Sequence, residues 1–169
     1  MIISINFINT FFVEEKIESL FFIIIGIVAI LLATLFLFII KYSFFKGIAI
    51  PLLLIGTIQL FIGINNYNFS IKHLKKIEQA IHHNLKNDQT KELVRMEEVM
   101  RDYHTYQWIE IIFLICGILL YLLFSKSTQV FWKGIGLGIL IQASVMLTLN
   151  LIAEERANSY IHSMKNYHK

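Results

Sequence analysis

Long, uninterrupted apolar stretches dominate the chain and alternate with shorter polar segments. A helix needs about 20 apolar residues to cross roughly 30 Å of hydrocarbon, so four of these stretches predict membrane-spanning helices. Pro51 lies in the first turn of the second predicted span, where its missing N–H costs least. The predicted fold class is an all-α membrane protein, a single domain over 1–169 with four transmembrane helices. The predicted spans cover residues 20–40, 47–64, 108–124 and 130–153.

The segment 66–107, between the second and third spans, has a different pattern. Its apolar residues recur at spacings of three and four on both sides of the polar turn Asn87–Thr90. We therefore expect helices 2 and 3 to extend into an antiparallel helical hairpin outside the membrane. Its apolar faces either close the hairpin on itself, which we favour, or pack against neighbouring subunits or a partner. The residues predicted at this hairpin interface are Leu74, Ile77, Ile81, Leu93, Met96, Met100 and Tyr103.

Composition supports this class. Hydrophobic residues make up 56% of the chain and charged residues 16%, whereas a soluble domain has roughly 45–50% apolar and about 25% charged residues. The sequence therefore argues against a soluble enzyme. The length is that of one domain, so we expect no appended catalytic module.

Charge distribution predicts the orientation. The short loops 41–46 and 125–133 hold 4 of the 15 Lys and Arg residues and none of the 12 acidic residues. Short loops dominate the positive-inside rule, so we predict that they face the cytoplasm. Both termini and the 66–107 hairpin then lie on the extracytoplasmic side. The raw count favours the reverse, because the other 11 basic residues lie on the side of the termini.

The stretch before the first span, Ile2–Val13, is apolar and is followed by Glu14 and Glu15. The first basic residue is Lys16, so we do not expect a cleavable signal peptide. Two structures remain open for Ile2–Val13: a helix that lies on the bilayer surface, or a frayed terminus.

Polar residues inside the spans are functional candidates, because they are costly in lipid. In the functional interpretation, Glu110 coordinates an ion, forms part of a pore ring or relays protons. In the structural one, it is an interfacial carboxylate paired with a nearby base such as Arg101, while the amides join helices to one another. The candidates are Glu110, Gln59, Gln142 and Asn150.

Small residues at helical spacing predict close helix packing. Gly134 and Gly138 form one such pair in the fourth span, and Ala29 and Ala33 form another in the first. The pattern leaves open whether they pack within a subunit or between subunits. Cys116 is the single cysteine, and we expect a buried thiol in an apolar environment. We recognise no internal repeat and no broken helix.

Catalytic motifs are not recognisable, so we predict no enzyme activity, no cofactor and no direct binding of nucleic acid. Arg156 and His162 fit the R-x(4–6)-H spacing of helical HEPN-type ribonucleases, a match that we consider accidental. His73 and His104 come close together if the hairpin forms, but a structural zinc site requires four ligands. We therefore predict no metal site.

Three strings of residues resemble other proteins. Arg95–Arg101 (RMEEVMR) and Tyr106–Glu110 (YQWIE), together with Leu151–Tyr160 (LIAEERANSY), are similar to strings in small bacterial proteins with four predicted spans. That resemblance implies a bacterial inner-membrane protein and implies no activity. In size and number of spans the chain also resembles the small multispan proteins that accompany some type VI CRISPR effectors, whose proposed role is defence at the membrane.

These observations predict a small polytopic membrane protein that acts without catalysis. It would self-associate as a homo-oligomer or engage a protein partner through the 66–107 hairpin. The alternative is an oligomeric pore or membrane-perturbing effector, with a role in phage defence, in which copies of Glu110, Gln142 or Asn150 surround an axis. A transporter is the third hypothesis.

Overall fold

The computed structural model describes the backbone of residues 5–81 and 85–166 and the side chains of residues 10–72 and 91–165. All secondary-structure elements of the described chain are α-helices, which confirms the predicted fold class. Each of the four helices is long and apolar enough to cross a membrane, so the protein is a small polytopic integral membrane protein. The helices are α1 Ile5–Phe38, α2 Ser43–Ile81, α3 Leu85–Leu123 and α4 Val130–Asn166.

Two antiparallel helix pairs lie side by side. α1 packs along α2, and α3 packs along α4. The central contact joins α2 to α4, which run parallel, while α2 and α3 contact each other little in the described chain. The connections 39–42 and 124–129 lie at the same end of the molecule, which we call the loop side.

Glycines bring α2 and α4 together at the loop side. A Cβ built on Gly134 would overlap the carbonyl oxygen of Phe44, and one built on Gly47 would overlap that of Phe131. One turn further along, a Cβ on Gly138 would meet the Pro51 ring at 2.5 Å. Only residues without a side chain allow backbones to approach this closely. The Gly134 and Gly138 pair therefore packs within the subunit.

The alanine pair of α1 also packs within the subunit. Ala29 and Ala33 are buried against α2, in a cluster with Ile48, Ala49 and Leu52. Small side chains on both helices make this contact close. Like Gly134 and Gly138, Ala29 and Ala33 therefore pack against a helix of the same chain.

The parallel helices α2 and α4 begin with nearly the same residues. Phe44–Ile48 reads FFKGI and Phe131–Ile135 reads FWKGI, an offset of 87 residues. The contacts between Gly47 and Gly134 and between Pro51 and Gly138 keep that offset. This five-residue match aligns the starts of α2 and α4 but is too short to be an internal repeat of the chain. The two copies of the match lie 87 residues apart, and the parallel packing of α2 and α4 brings them together.

Pro51 lies deeper in its helix than we predicted. α2 begins at Ser43, so Pro51 is in the third turn and not the first. Its ring occupies the space that Gly138 leaves open on α4. Proline cannot donate the hydrogen bond that this position would make to the carbonyl of residue 47. Pro51 thus lacks one backbone hydrogen bond of α2 and makes a packing contact with α4.

The end opposite the loop side is a second packed region, which we call the head. It comprises residues 10–19 of α1, 66–72 of α2, 91–107 of α3 and 154–165 of α4. Its apolar cluster joins the start of α1 to α3 and to the end of α4, with Leu93, Met100 and Tyr103 packed against it. The buried members of this cluster are Phe11, Phe12, Met96, Ala157, Tyr160, Ile161 and Met164.

Three sequence expectations change in this region. Residues 5–13 are the first turns of α1, with Phe11 and Phe12 buried, so neither alternative for Ile2–Val13 was correct for the described part. The α3 half of the predicted hairpin interface packs against α1 and α4. The α2 half, at Leu74, Ile77 and Ile81, lies outside the described side chains. In the third span, Cys116 is exposed on the outer surface and not buried.

Candidate functional site: a column of buried polar residues

Polar residues that are buried or partly buried follow α4 from the head into the membrane-spanning part. The outermost is Arg156, whose guanidinium makes an ion pair with the carboxylate of Glu18 on α1. The same guanidinium lies 5.4 Å from the centroid of the Phe11 ring, and that ring stacks on Tyr160 at a centroid distance of 4.0 Å. Charge pairing and aromatic stacking together attach the start of α1 to α4.

A second guanidinium, Arg95 of α3, completes the charged cluster of the head. Its Nε and Nη2 atoms donate to the carboxylate of Glu92 at 2.9 Å and 2.6 Å. Its Cζ atom lies 5.5 Å from the centroid of the Phe69 ring on α2. One arginine thus links α3 to α2, where the two helices otherwise have few contacts.

Glu15 adds a third carboxylate to this cluster. It lies near Arg95, Arg156 and the Ser70 hydroxyl, and its Oε2 atom is buried with no hydrogen-bond partner. With Glu18 and Glu92 it gives three carboxylates to two guanidiniums in the cluster. Burying a charge is costly unless it is paired. The pair of Arg156 with Glu18 joins α4 to α1, whereas the pair of Arg95 with Glu92 lies within α3.

The next group of polar residues along α4 lies where the head meets the predicted spans. The Gln107 side chain on α3 donates a hydrogen bond to the Glu154 carboxylate on α4. The Nδ1 atom of His104 lies 3.6 Å from the other oxygen of the same carboxylate. His104 is exposed, whereas Glu154 is partly buried. This group connects the surface of the head to the interior.

One turn deeper, Glu110 and Asn150 pair between α3 and α4. Both side chains are buried, and the Asn150 amide donates to Oε1 of Glu110. Arg101, the base that we suggested as a partner of Glu110, is exposed. Oε2 of Glu110 is buried without a partner. The pairing is therefore with an amide, and half of the carboxylate has no partner in the protein.

Gln142 and Gln59 lie deeper still. Gln59 is 0% exposed and Gln142 is 2% exposed. Neither the nitrogen nor the oxygen of the Gln59 amide has a hydrogen-bond partner, and the Gln142 nitrogen has none. All four polar residues predicted as candidates thus face the interior of one chain.

The remaining predicted residues are not assembled into a site. Arg156 is engaged by Glu18, and His162 lies exposed on the following turns of α4. Among the described residues, no group of three His, Cys, Asp or Glu side chains could hold a metal ion. His104 contacts Glu154, and the side chain of His73 lies outside the described range.

Sequence analysis did not identify the charged cluster of the head. A signal was present, because Glu15 and Glu18 lie three residues apart, close to the helix face of Phe11 and Phe12. That spacing is typical of one side of a helix. The predicted first span begins at residue 20, so it includes neither Glu15 nor Glu18.

Comparison with known proteins identifies no relative. No protein-family model, no curated protein and no solved structure matches the chain.

Proposed function

We propose that the protein acts without catalysis, as a membrane-anchored interaction protein that contacts a partner or a second copy through the outward face of α3 in the head. The observation that carries this proposal is the division of α3 into two faces. Its inward face, with Met96, Met100 and Tyr103, packs against α1 and α4 of the same chain. Among the described residues of α3 in the head, the opposite face is the exposed one.

The outward face has the character of an interaction surface. Val94 is 52% exposed and Trp108 is 68% exposed, and charged residues lie between them. Aromatic residues and arginine are enriched in interfaces. The residues at helical spacing along this face are Val94, Glu98, Arg101, Thr105 and Trp108. Trp108 lies where the head meets the predicted span, so we expect a partner that is itself close to the membrane.

Site-specific photocrosslinking in cells tests the proposal. A photoreactive residue at Val94 or Arg101 should give a discrete crosslinked species, either a dimer or an adduct with another protein. The control is the same probe at Ser159, which is exposed on α4 in the head. Equal crosslinking from Ser159, or none from Val94 and Arg101, would contradict the proposal.

A charge-reversed variant, Glu98→Lys with Arg101→Glu, provides the matched functional test. Both side chains are exposed, so folding should be preserved. The crosslink from Val94 should decrease, because complementary charges at an interface set its specificity. The subunit count in detergent, from light scattering with protein and detergent masses separated, distinguishes self-association from a heterologous partner.

An oligomeric pore, with a role in phage defence, is the second candidate. It requires polar side chains on the surface that neighbouring subunits share. Glu110, Gln142 and Asn150 are buried within one chain, which favours the interaction protein. A ring of four or more copies, together with selective ion flux in liposomes that Glu110→Gln abolishes, would reverse this ranking. Substrate-saturable uptake would instead support a transporter.

We also propose the bacterial inner membrane as the location, with the head on the extracytoplasmic side. The four lysines near the loop side support this orientation. In a Cys116→Ser background, a cysteine at Lys165 should react with an impermeant thiol reagent in intact cells, and one at Lys126 should not. The opposite labelling pattern would reverse the orientation.

A further inference from the structure

The buried polar residues of the spanning part all lie in the half that adjoins the head. α2 and α4 are parallel with an offset of 87 residues, as Gly47 with Gly134 and Pro51 with Gly138 show. Gln59 therefore lies at the level of residue 146, one turn above Gln142. Asn150, with its partner Glu110, lies two turns above Gln142 on the side of the head.

These side chains differ from the other polar groups of the spans. The hydroxyls of Thr34, Thr57 and Thr148 bond to carbonyls of their own helices. The Gln59 amide, the Gln142 nitrogen and Oε2 of Glu110 have no such partner although they are buried. Within a bilayer an unsatisfied polar group is costly, and water is a partner that would satisfy these atoms.

The half of the spanning part on the loop side is closed. Its interior is made of Gly47, Gly134, Ala33, Ala49 and Pro51, packed with no buried polar side chain among the described residues. The contacts between Gly47 and Gly134 bring the backbones together. Such an interior leaves no room for water.

The head supplies a polar connection to the surface. Gln107 and Glu154 lie directly above Glu110 and Asn150, and the exposed His104 contacts Glu154. Polar groups thus continue from the surface to the middle of the predicted spans. They end at Gln142, one turn before Gly138.

We propose that these residues line a water-containing inlet that opens at the head beside His104, passes Glu110 and Asn150, and ends at Gln59 and Gln142. Its ligand is water, which supplies the donors and acceptors that the amides and the carboxylate lack. The inlet is open to one side of the membrane only. The inference depends on burial and hydrogen bonding inside the chain, and it is independent of what the outward face of α3 binds.

Solid-state NMR of the wild-type protein in lipid bilayers tests the inlet directly. In water-edited spectra, magnetisation from water should reach the side-chain amides of Gln59, Gln142 and Asn150. The internal control is Ala49, which is buried at the loop side, and its transfer should be at least about tenfold weaker. Transfer to the amides that is no stronger than transfer to Ala49 would overturn the proposal.

Cysteine accessibility gives a second, independent measurement. In a Cys116→Ser background, Asn150→Cys and Gln142→Cys should react with a small cationic thiol reagent in nanodiscs, with Gln142→Cys the slower. Ala49→Cys should react at least about tenfold more slowly than either. Adding Glu110→Leu should slow the reaction at position 142 and leave a cysteine at Glu155 unaffected. Equal rates at Asn150, Gln142 and Ala49 would exclude an inlet.

Discussion

The loop-side half and the head-side half of the bundle hold the same four helices together in different ways. At the loop side, glycine, alanine and proline bring α2 close to α4 and α1 close to α2, through van der Waals contact alone. Towards the head, the contacts pass through Glu110 with Asn150, Gln107 with Glu154, and Arg156 with Glu18. The closest backbone approaches, at Gly47 and Gly134, lie at the loop side, so we expect added atoms to be most costly there. Towards the head, we expect changes that keep the hydrogen bonds to cost less.

The largest loss of stability is expected where Gly134 of α4 contacts the backbone of α2. Gly134→Val places side-chain atoms where the Phe44 carbonyl lies, so α2 and α4 must separate. We expect a loss of about 4 kcal/mol in the free energy of unfolding, measured by denaturation in mixed detergent micelles. Gly117→Ala is the control, because its Cβ would meet the movable side chain of Leu140 at 2.9 Å, although the Gly136 carbonyl oxygen is also close at 3.0 Å. A loss at Gly134 no greater than that at Gly117 would contradict the packing described here.

The ion pair between Arg156 and Glu18 should give the next largest effect. Arg156→Met leaves Glu18 without its partner in a mostly buried setting, and we expect a loss of about 3 kcal/mol. The double variant Arg156→Met with Glu18→Leu removes both charges and should recover most of that loss. Unfolding monitored by tryptophan fluorescence provides the comparison. No recovery in the double variant would mean that the pair is not what holds α1 to α4.

Within the spanning part, the pair between Glu110 and Asn150 should have a smaller effect. Asn150→Leu removes the only donor to Glu110 that the described structure contains, and we expect a loss of about 2 kcal/mol. Glu110→Gln keeps an acceptor for Asn150, so its loss should be below about 1 kcal/mol. Denaturation in mixed detergent micelles compares the losses in the free energy of unfolding of Asn150→Leu and Glu110→Gln. A greater loss in Glu110→Gln would show that the negative charge itself is stabilising.

The smallest effect is expected on the surface of the head. The Lys165 Nζ atom lies 2.9 Å from Glu97, and both side chains are about half exposed. Lys165→Ala should change the free energy of unfolding by about 0.5 kcal/mol or less, because exposed ion pairs are screened. Chemical denaturation measures this change. A larger loss in the free energy of unfolding would mean that this ion pair contributes to holding the end of α4 against α3.

The fold class followed from the sequence because apolar length is a direct physical requirement of the bilayer. The burial of Glu110, Gln59, Gln142 and Asn150 agrees with the cost of polar groups in lipid. Their partners could not be predicted, because the register between α3 and α4 depends on contacts such as that of Gly117 with Gly136. Met96 and Tyr103 were recognised as packing residues, but no sequence pattern indicates that the start of α1 and the end of α4 would cover them.

The contact between Phe11 and Tyr160 has a consequence for biosynthesis. α1 is synthesised before α4, so Phe11 and Phe12 leave the ribosome long before the residues that bury them exist. Contacts between distant parts of a chain are slow to form, and until α4 is in place Phe11 lacks the Tyr160 ring that stacks on it. The head is therefore complete only once α4 has been synthesised, and a chain arrested before α4 lacks the residues of α4 that cover Phe11.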